Sequence, residues 1–100
     1  MAYYSVLEVT PTNEDWIPVY LEKSGSILAK HGGKYLARTV SHEQVEGEDD
    51  SAALRIILEW PSKKSAQSFM KDPEYAPLLQ ARTEGSMSKH FLIEAKDDMA

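Results

Sequence analysis

The chain has 100 residues, of which 11 are basic and 16 acidic, and it contains no cysteine. A chain of this length makes one domain over residues 1–100, and without cysteine it has no disulfides or thiolate metal sites. The formal net charge of −5 comes without a basic stripe, so we expect neither nucleic acid nor a membrane surface as a partner. Because the sequence shows no signal peptide and no membrane-spanning run, we expect a cytoplasmic protein.

The first third of the sequence predicts a strand followed by a helix. Aromatic and β-branched residues at 3–9 are typical of a strand. Thr12 or Asn13 is suited to cap the helix, in which apolar residues then recur at helical spacing. Pro18 is compatible with this helix only inside its first turn. Gly32-Gly33 predicts the end of the helix, because glycine is preferred just past a helix terminus.

Two strands and an acidic loop are predicted in the middle of the chain. Residues 34–40 predict the second strand and residues 53–60 the third, joined by a polar loop at 41–51. The third strand alternates between two faces, with Leu54, Ile56, Leu58 and Trp60 on one and Arg55, Ile57 and Glu59 on the other. Because apolar residues occur on both faces, both are expected to be covered.

The last third predicts a helix in two pieces and a final strand. Ser62 is the expected cap of the first piece, and Asp72-Pro73 has the cap and proline expected at the start of the second. Pro77 is expected to break or shorten the first turn of that second piece, and Gly85 to end it. Residues 90–96 alternate as a strand.

The resulting order, βαββαβ, predicts an α+β protein with the ferredoxin-like fold. In this fold four antiparallel strands form one sheet, and the helices lie on one of its faces. A third strand that is apolar on both sides would leave an apolar patch on the open face, which monomers rarely tolerate. We therefore expect a homodimer packed sheet to sheet, the alternative being a monomer with a weakly apolar exposed face.

Four short motifs follow one another along the chain. They are His31-Gly32-Gly33-Lys34-Tyr35-Leu36-Ala37-Arg38, Glu46-Gly47, Trp60-Pro61-Ser62 with Ala66, and Pro73-Glu74-Tyr75 with Leu78 and Arg82. The ordered set resembles the domain-of-unknown-function 1330 family over nearly the whole chain. The resemblance implies a ferredoxin-like fold of the dimeric α/β-barrel type. Relatives with that broader fold include cofactor-independent oxygenases, small isomerases and haem-handling enzymes, whereas the family itself has no settled activity.

The sequence departs from the family pattern at positions expected to line a pocket. Thr39 and Val40 stand where members often have glycine. Trp60 stands in place of a phenylalanine, and Phe69-Met70 in place of a pair of large aromatic residues. The ligand could therefore differ from that of the relatives.

Arg38 and Arg82 are the leading candidates for ligand binding. Arginine forms paired hydrogen bonds to carboxylates and suits an anionic ligand. Arg38 stands among apolar neighbours of the second strand, where an unpaired buried charge is costly. The alternatives are a salt bridge from Arg38 to Glu46 or Glu59, and an Arg82 side chain that extends to solvent from its helix.

Proton transfer is assigned to His42 or Glu46, both in the acidic loop. Histidine suits proton transfer near neutral pH, and a glutamate at a turn can act as a general base. The alternative for Glu46 is a solvated acidic loop. The spacing of the three histidines matches no metal motif, so no metal is expected. His31 is expected to stabilise the end of its helix, and His90 could be packed or exposed.

Tyr20, Tyr35, Tyr75 and Trp60 could line a flat apolar pocket or pack as plain core. The leading hypothesis is a small homodimer that binds a small organic ligand, which could carry a carboxylate, and acts on it without a cofactor. One alternative is a non-enzymatic module that presents the acidic loop 43–50 to a basic protein partner. Another is a haem- or metal-using enzyme.

Overall fold

The computed structural model describes all 100 residues and contains four strands and three helices. The strands are β1 (Tyr3–Pro11), β2 (Lys34–Thr39), β3 (Leu54–Trp60) and β4 (Ser86–Glu94). The helices are α1 (Ile17–Lys30), α2 (Lys63–Met70) and α3 (Ala76–Glu84). This order confirms the α+β ferredoxin-like fold, with its second helix divided in two as predicted. No helix has the length and apolar character needed to cross a membrane.

The strands form one antiparallel sheet in the order β2-β3-β1-β4. The register between β2 and β3 shifts between Tyr35 and Ala37. A bulge of this kind inserts one residue and re-aims the side chains that follow it. As a result, Tyr35 pairs with Leu58 and Arg38 with Ile56, so both point to the same face of the sheet.

The core lies between the sheet and the helices. Ten apolar residues are buried in it: Leu7, Val9, Ile27, Leu28, Leu58, Trp60, Ala66, Phe69, Tyr75 and Leu78. The alternation predicted for β3 is confirmed, since Leu58 and Trp60 are buried while Ile57 is 40% exposed. Phe69 lies between two aromatic rings, with centroids 5.1 Å from Trp60 and 4.0 Å from Tyr75. The helices therefore cover one face of the sheet and leave the other open.

Helix α1 begins later than the sequence predicted. Its N-cap position is Trp16, not Thr12 or Asn13, and no side chain caps it. The indole N–H of Trp16 donates to the carbonyl oxygen of Asn13 at 2.9 Å and, across the fold, to that of Gly85 at 3.0 Å. A cap at Asn13 would have placed Pro18 in the helix interior, where its ring clashes with a preceding carbonyl. The observed start keeps Pro18 in the first turn, as predicted.

The caps of the other two helices differ in outcome. The Ser62 hydroxyl caps α2 as predicted, accepting a backbone hydrogen bond at 3.1 Å. Asp72 was expected to cap α3, but that helix begins only after Tyr75. Asp72 instead accepts a hydrogen bond from the backbone N–H of Glu74 in a separate turn. The later start places Pro77 in the first turn of α3.

Strand β4 begins earlier than the predicted residue 90. It starts at Ser86, directly after the helix end at Gly85, and its pairing with β1 extends to Pro11. The first residues of β4 are mostly polar, so their alternation carried no signal in the sequence.

The end of α1 is tied to the turn that precedes α3. His31 is the C-cap residue, and Gly32 follows it with a φ of +77°, as the predicted glycine terminus requires. Oδ2 of Asp72 lies 2.7 Å from Nε2 of His31 and 2.9 Å from Nζ of Lys30. The hydrogen bond with His31 and then that with Lys30 hold the pKa of Asp72 well below its usual value. His31 therefore lies at the end of the helix, as the sequence predicted, and its contact with Asp72 links that end to the turn before α3.

Candidate functional site

An apolar cavity lies between the inner face of the sheet and the helices. Its walls come from all four strands and all three helices, and 15 of the 19 lining residues are hydrophobic. The volume of the cavity is about 90 Å³. A few polar side chains also face it. Apolar walls with few polar groups are typical of small-molecule sites.

Arg82 places a buried positive charge beside this cavity. Arg82 lies on the same side of α3 as Leu78 and as Tyr75, the N-cap residue of that helix. All three residues are buried. Arg82 is 4% exposed and pairs with no Asp or Glu. Its Nε atom is buried without a hydrogen-bond partner. The expectation that Arg82 could extend to solvent is wrong.

Two tyrosine hydroxyls meet in the same cavity. The hydroxyl oxygens of Tyr20 and Tyr75 are 2.6 Å apart, and both side chains line the cavity. Burial raises the pKa of Tyr20, and the neighbouring Tyr75 raises it further. Tyr20 therefore stays protonated at neutral pH. Because one hydroxyl donates to the other, the accepting hydroxyl keeps its own proton free to donate.

A second polar group is built from β1, β3 and β4. The Trp60 indole N–H donates to the buried Ser5 Oγ at 2.8 Å, and His90 Nε2 lies 2.8 Å from the same oxygen. Burial lowers the pKa of His90, and the positive charge of Arg82 lowers it further. His90 is therefore neutral at physiological pH. If its Nε2 carries the proton and donates to Ser5, its Nδ1 is left as an acceptor.

Arg38 also lines the cavity, but unlike Arg82 it is in contact with solvent. It is exposed, and its guanidinium carbon is 4.0 Å from the centroid of the Tyr35 ring, a cation–π arrangement. The expected salt bridge from Arg38 to Glu46 or Glu59 is wrong. Glu59 pairs instead with Lys34 at 3.2 Å, and Glu46 forms no ion pair.

His42 and Glu46 lie outside the cavity. Both are exposed in the loop between β2 and β3, and neither lines the apolar cavity. Gln44 organises this loop, since its side-chain oxygen accepts from the backbone N–H of Asp50 at 3.0 Å. Proton transfer by His42 or Glu46 stays a prediction, as does the docking of a basic partner on the acidic loop.

The structure brings the five predicted ligand-binding residues to one place. Arg38, Tyr35, Trp60, Tyr75 and Arg82 all line the apolar cavity. They come from distant parts of the chain, and the fold alone brings them together.

Sequence reasoning missed the roles of Ser5 and His90. Ser5 stands in register with Leu7 and Val9 on the inner face of β1, where an apolar residue is expected. A small polar residue at an inward position needs a partner, and that was the available signal. His90 carried no comparable signal, because its strand alternates weakly.

The cavity combines two arginines, the buried Arg82 and the exposed Arg38, with hydrogen-bonding side chains. It can hold an anion at Arg82, donate a hydrogen bond from the tyrosine pair and exchange a proton at His90. No group of three or more His, Asp or Glu is placed to hold a metal ion. Arg82 and His90 provide groups suited to anion binding and to proton transfer.

Fold and site define a class, namely ferredoxin-like α+β proteins with an apolar cavity between sheet and helices. The family described as "Domain of unknown function (DUF1330)" matches residues 2–96. The chain belongs to this family, as its motifs indicated. No curated protein matches the chain.

Several solved structures share this fold. The RPA0582 protein of unknown function from Rhodopseudomonas palustris has a TM-score of 0.79 at 16% identity, covering 96% of this chain and 83% of its own. A variant of SnoaB, a cofactor-independent oxygenase from Streptomyces nogalater, has a TM-score of 0.67 at 17% identity. The match covers 98% of this chain and 96% of the SnoaB chain. An antibiotic biosynthesis monooxygenase has a TM-score of 0.54 at 13% identity, and the match covers 97% of this chain and 100% of the monooxygenase chain. At these identities the likeness establishes the fold alone.

Proposed function

We propose that this protein is a homodimer whose subunits each bind a small, mostly apolar organic molecule in the cavity. The observation that carries the proposal is an apolar cavity beside a buried arginine that has no partner in the chain. Plain core packing leaves neither a space of this kind nor an unpaired charge. Small-molecule sites combine both features.

The size of the cavity limits the ligand. An engineered apolar cavity of roughly 150 Å³ holds benzene. A cavity of about 90 Å³ that is open at one side therefore suits a molecule of about one small ring. Larger ligands would require the walls to move or would extend past Arg38 into solvent.

Nuclear magnetic resonance titration with two single-ring probes, benzamide and benzoate, tests this proposal. The chain has two tryptophans, and both line the cavity, so their indole N–H signals report on its occupancy. We expect at least one probe to produce saturable shifts of these signals. If neither does, the proposed function is wrong.

Two phenylalanine substitutions provide the control. Ile56 lines the cavity, and Ile56→Phe fills part of it, so the saturable shifts should weaken strongly. Val19 lies on α1 and is 47% exposed, so Val19→Phe should leave probe binding unchanged. Equal effects of the two substitutions would place the probe elsewhere.

The homodimer is supported by the open face of the sheet. One row across the four strands consists of Ala37, Ile57, Val6 and Phe91, paired side by side. Val6 is 36% exposed, Ile57 40% and Phe91 65%. Monomers rarely expose a contiguous apolar patch of this kind, and a second copy packed sheet to sheet would cover it.

A catalytic form of the proposal is favoured by His90, the one histidine that lines the cavity. The structural neighbour SnoaB is described as a cofactor-independent oxygenase. We propose that His90 exchanges a proton with the bound ligand without a bound cofactor. The C–H bond of the ligand breaks, its proton goes to the neutral imidazole, and the electron pair stays on the ligand as an enolate.

Deuterium exchange into 2-oxobutyrate tests the catalytic form, because this small carboxylate has an acidic C–H beside a carbonyl. The protein should accelerate exchange in heavy water, and His90→Gln should abolish the acceleration. His42→Gln is the matched control and should retain it, because His42 lies in the exposed loop. Loss of exchange in His42→Gln would return the role to His42. No acceleration by the unsubstituted protein would reject catalysis and leave ligand binding standing.

A further inference from the structure

We infer that the cavity selects a monocarboxylate, whose carboxyl group is held by Arg82 and whose apolar body lies against the aromatic rings. The inference rests on the proposed function and narrows its ligand to one chemical class. Of the two arginines that the sequence offered as anion sites, it selects Arg82 over Arg38.

Arg82 is built into the interior in a way that leaves its charge unsatisfied. It is 4% exposed, no carboxylate pairs with it, and its buried Nε has no acceptor. The Ser86 hydroxyl donates to the carbonyl oxygen of Arg82, which fixes the backbone at the end of α3. A buried charge without a partner is costly, and an anionic ligand in the adjoining cavity would supply the partner.

The other groups in the cavity fit a carboxylate with a single negative charge. Tyr20, Tyr75 and His90 supply hydrogen-bonding groups, and of the two arginines that line the cavity only Arg82 is buried. One guanidinium balances one negative charge, whereas a dianion such as phosphate would bring an unbalanced charge into an apolar space. The planar guanidinium also matches the two oxygens of a carboxylate.

The tyrosine pair supplies a second donor. The two hydroxyl oxygens are 2.6 Å apart, so one proton lies between them and the other is free to donate into the cavity. A carboxylate oxygen accepts such a hydrogen bond, whereas a cation cannot. Arg82, Tyr20 and His90 all line the same cavity, so a ligand there can reach all three.

Arg38 is the weaker anchor. Its side chain is exposed and stacks on Tyr35, so a carboxylate there would remain hydrated. Ion pairs in contact with water contribute little to affinity. We therefore expect different effects on anion binding when each arginine is replaced by methionine. Methionine keeps most of the apolar stem and removes the charge.

Benzoate and benzamide provide the test, because they have nearly the same shape and differ in charge. We expect the unsubstituted protein to bind benzoate about tenfold or more tightly than benzamide, as charge-assisted hydrogen bonds to a buried group suggest. Arg82→Met should remove this preference and leave benzamide binding intact. Arg38→Met should keep most of the preference. Calorimetric or NMR titration gives the six affinities, one for each probe with each of the three proteins.

Each result decides one point. Equal binding of benzoate and benzamide by the unsubstituted protein overturns the inference and leaves the proposed function standing. Loss of the preference in Arg38→Met alone moves the anchor back to Arg38. No binding of either probe means that the proposed function itself has failed.

A measurement on the unsubstituted protein covers the case in which Arg82→Met does not fold. The chain has three arginines, and the Nε of Arg82 is the one buried without a partner. We expect benzoate to shift the Arg82 Nε–H resonance, with much smaller shifts at Arg38 and Arg55. If the Arg82 Nε–H resonance did not shift when the protein was saturated with benzoate, the inference would be overturned.

Discussion

The interior of this protein contains a charge that lowers its stability. A buried guanidinium without an internal partner loses hydration that no ion pair replaces. We predict that Arg82→Met raises the free energy of unfolding by about 1 kcal/mol, because methionine keeps the packed stem and removes the charge. Urea unfolding followed by circular dichroism measures the change. The gain in stability would accompany loss of anion binding, a trade typical of functional sites.

Arg38→Met is the matched control for this experiment. Arg38 is exposed, and its contact with the Tyr35 ring contributes about 0.5–1 kcal/mol, so its replacement should lower stability slightly. If Arg82→Met were instead as destabilising as the loss of a large core side chain, Arg82 would be a structural residue and the unpaired-charge interpretation would fail.

We expect the free energy of unfolding to depend on pH because of His90. Burial, followed by the charge of Arg82, lowers the pKa of His90 in the folded state below its ordinary value near 6.5. Below that pH the unfolded chain binds a proton that the folded protein does not, so stability falls as the pH falls. We predict that His90→Gln flattens the curve between about pH 7 and pH 5, by at most about 1.4 kcal/mol per pH unit. Urea unfolding midpoints across this range provide the measurement.

His42→Gln serves as the control for the pH experiment, because His42 is exposed in the loop between β2 and β3. It should leave the pH profile unchanged. A profile that flattens equally in both variants would mean that the dependence does not come from the cavity.

The two arginines show how far residue-level prediction reached. Both were identified from side-chain chemistry, and both line the cavity. The sequence predicted a buried Arg38 and allowed an exposed Arg82, whereas in the structure Arg38 is exposed and Arg82 is buried. Arg38 lies on β2, an edge strand of the sheet, whereas Arg82 lies on the buried side of α3. Neither feature is encoded in the local pattern of residues around the arginine.

At the scale of elements, the junction between α1 and β2 depends on the absence of a side chain. A Cβ added at Gly33 would lie 2.6 Å from Cζ3 of Trp60 and 2.9 Å from Cδ2 of Leu28. Both neighbours are buried, so neither can move without disturbing the core. We predict that Gly33→Ala lowers the free energy of unfolding by about 1–3 kcal/mol, the usual cost of overpacking. Thermal or urea unfolding measures it.

Gly25 gives a control with the opposite sign. It lies in the middle of α1, and a Cβ there meets no atom within 4 Å. Gly25→Ala should therefore raise the free energy of unfolding by about 0.5–1 kcal/mol through helix propensity alone. Destabilisation by both substitutions would show that the close approach at Gly33 is not the cause.

The helix starts explain where element-level prediction failed. Strand β3 and the cap at Ser62 were predicted well because their signals, alternation and a capping hydroxyl, are local. The start of α1 was predicted too early, since Trp16 is fixed by Gly85 across the fold. For α3, the carboxylate of Asp72 is committed to the end of α1, and Pro77 requires a later start.

The whole molecule is a thin slab with two layers. Its extents are 42 × 33 × 18 Å, and the shortest of them accommodates one sheet and one layer of helices. The outer face of the sheet is therefore uncovered. Two charged pairs flank the apolar row on that face, Lys34 with Glu59 on one side and Arg55 with Glu8 on the other. An apolar centre with a polar rim is the usual composition of a protein interface.

Phe91 gives the sharpest test of the proposed homodimer. It is 65% exposed, so Phe91→Lys removes little from the core of a subunit. In a dimer packed sheet to sheet, the same lysine would bury a charge in the interface, which costs several kcal/mol. We predict that Phe91→Lys converts a dimer to a folded monomer in analytical ultracentrifugation. Val45→Lys, at a loop residue that is 88% exposed, should remain dimeric. A dimer that withstands Phe91→Lys would have to use another surface, and the apolar row would then need a different explanation.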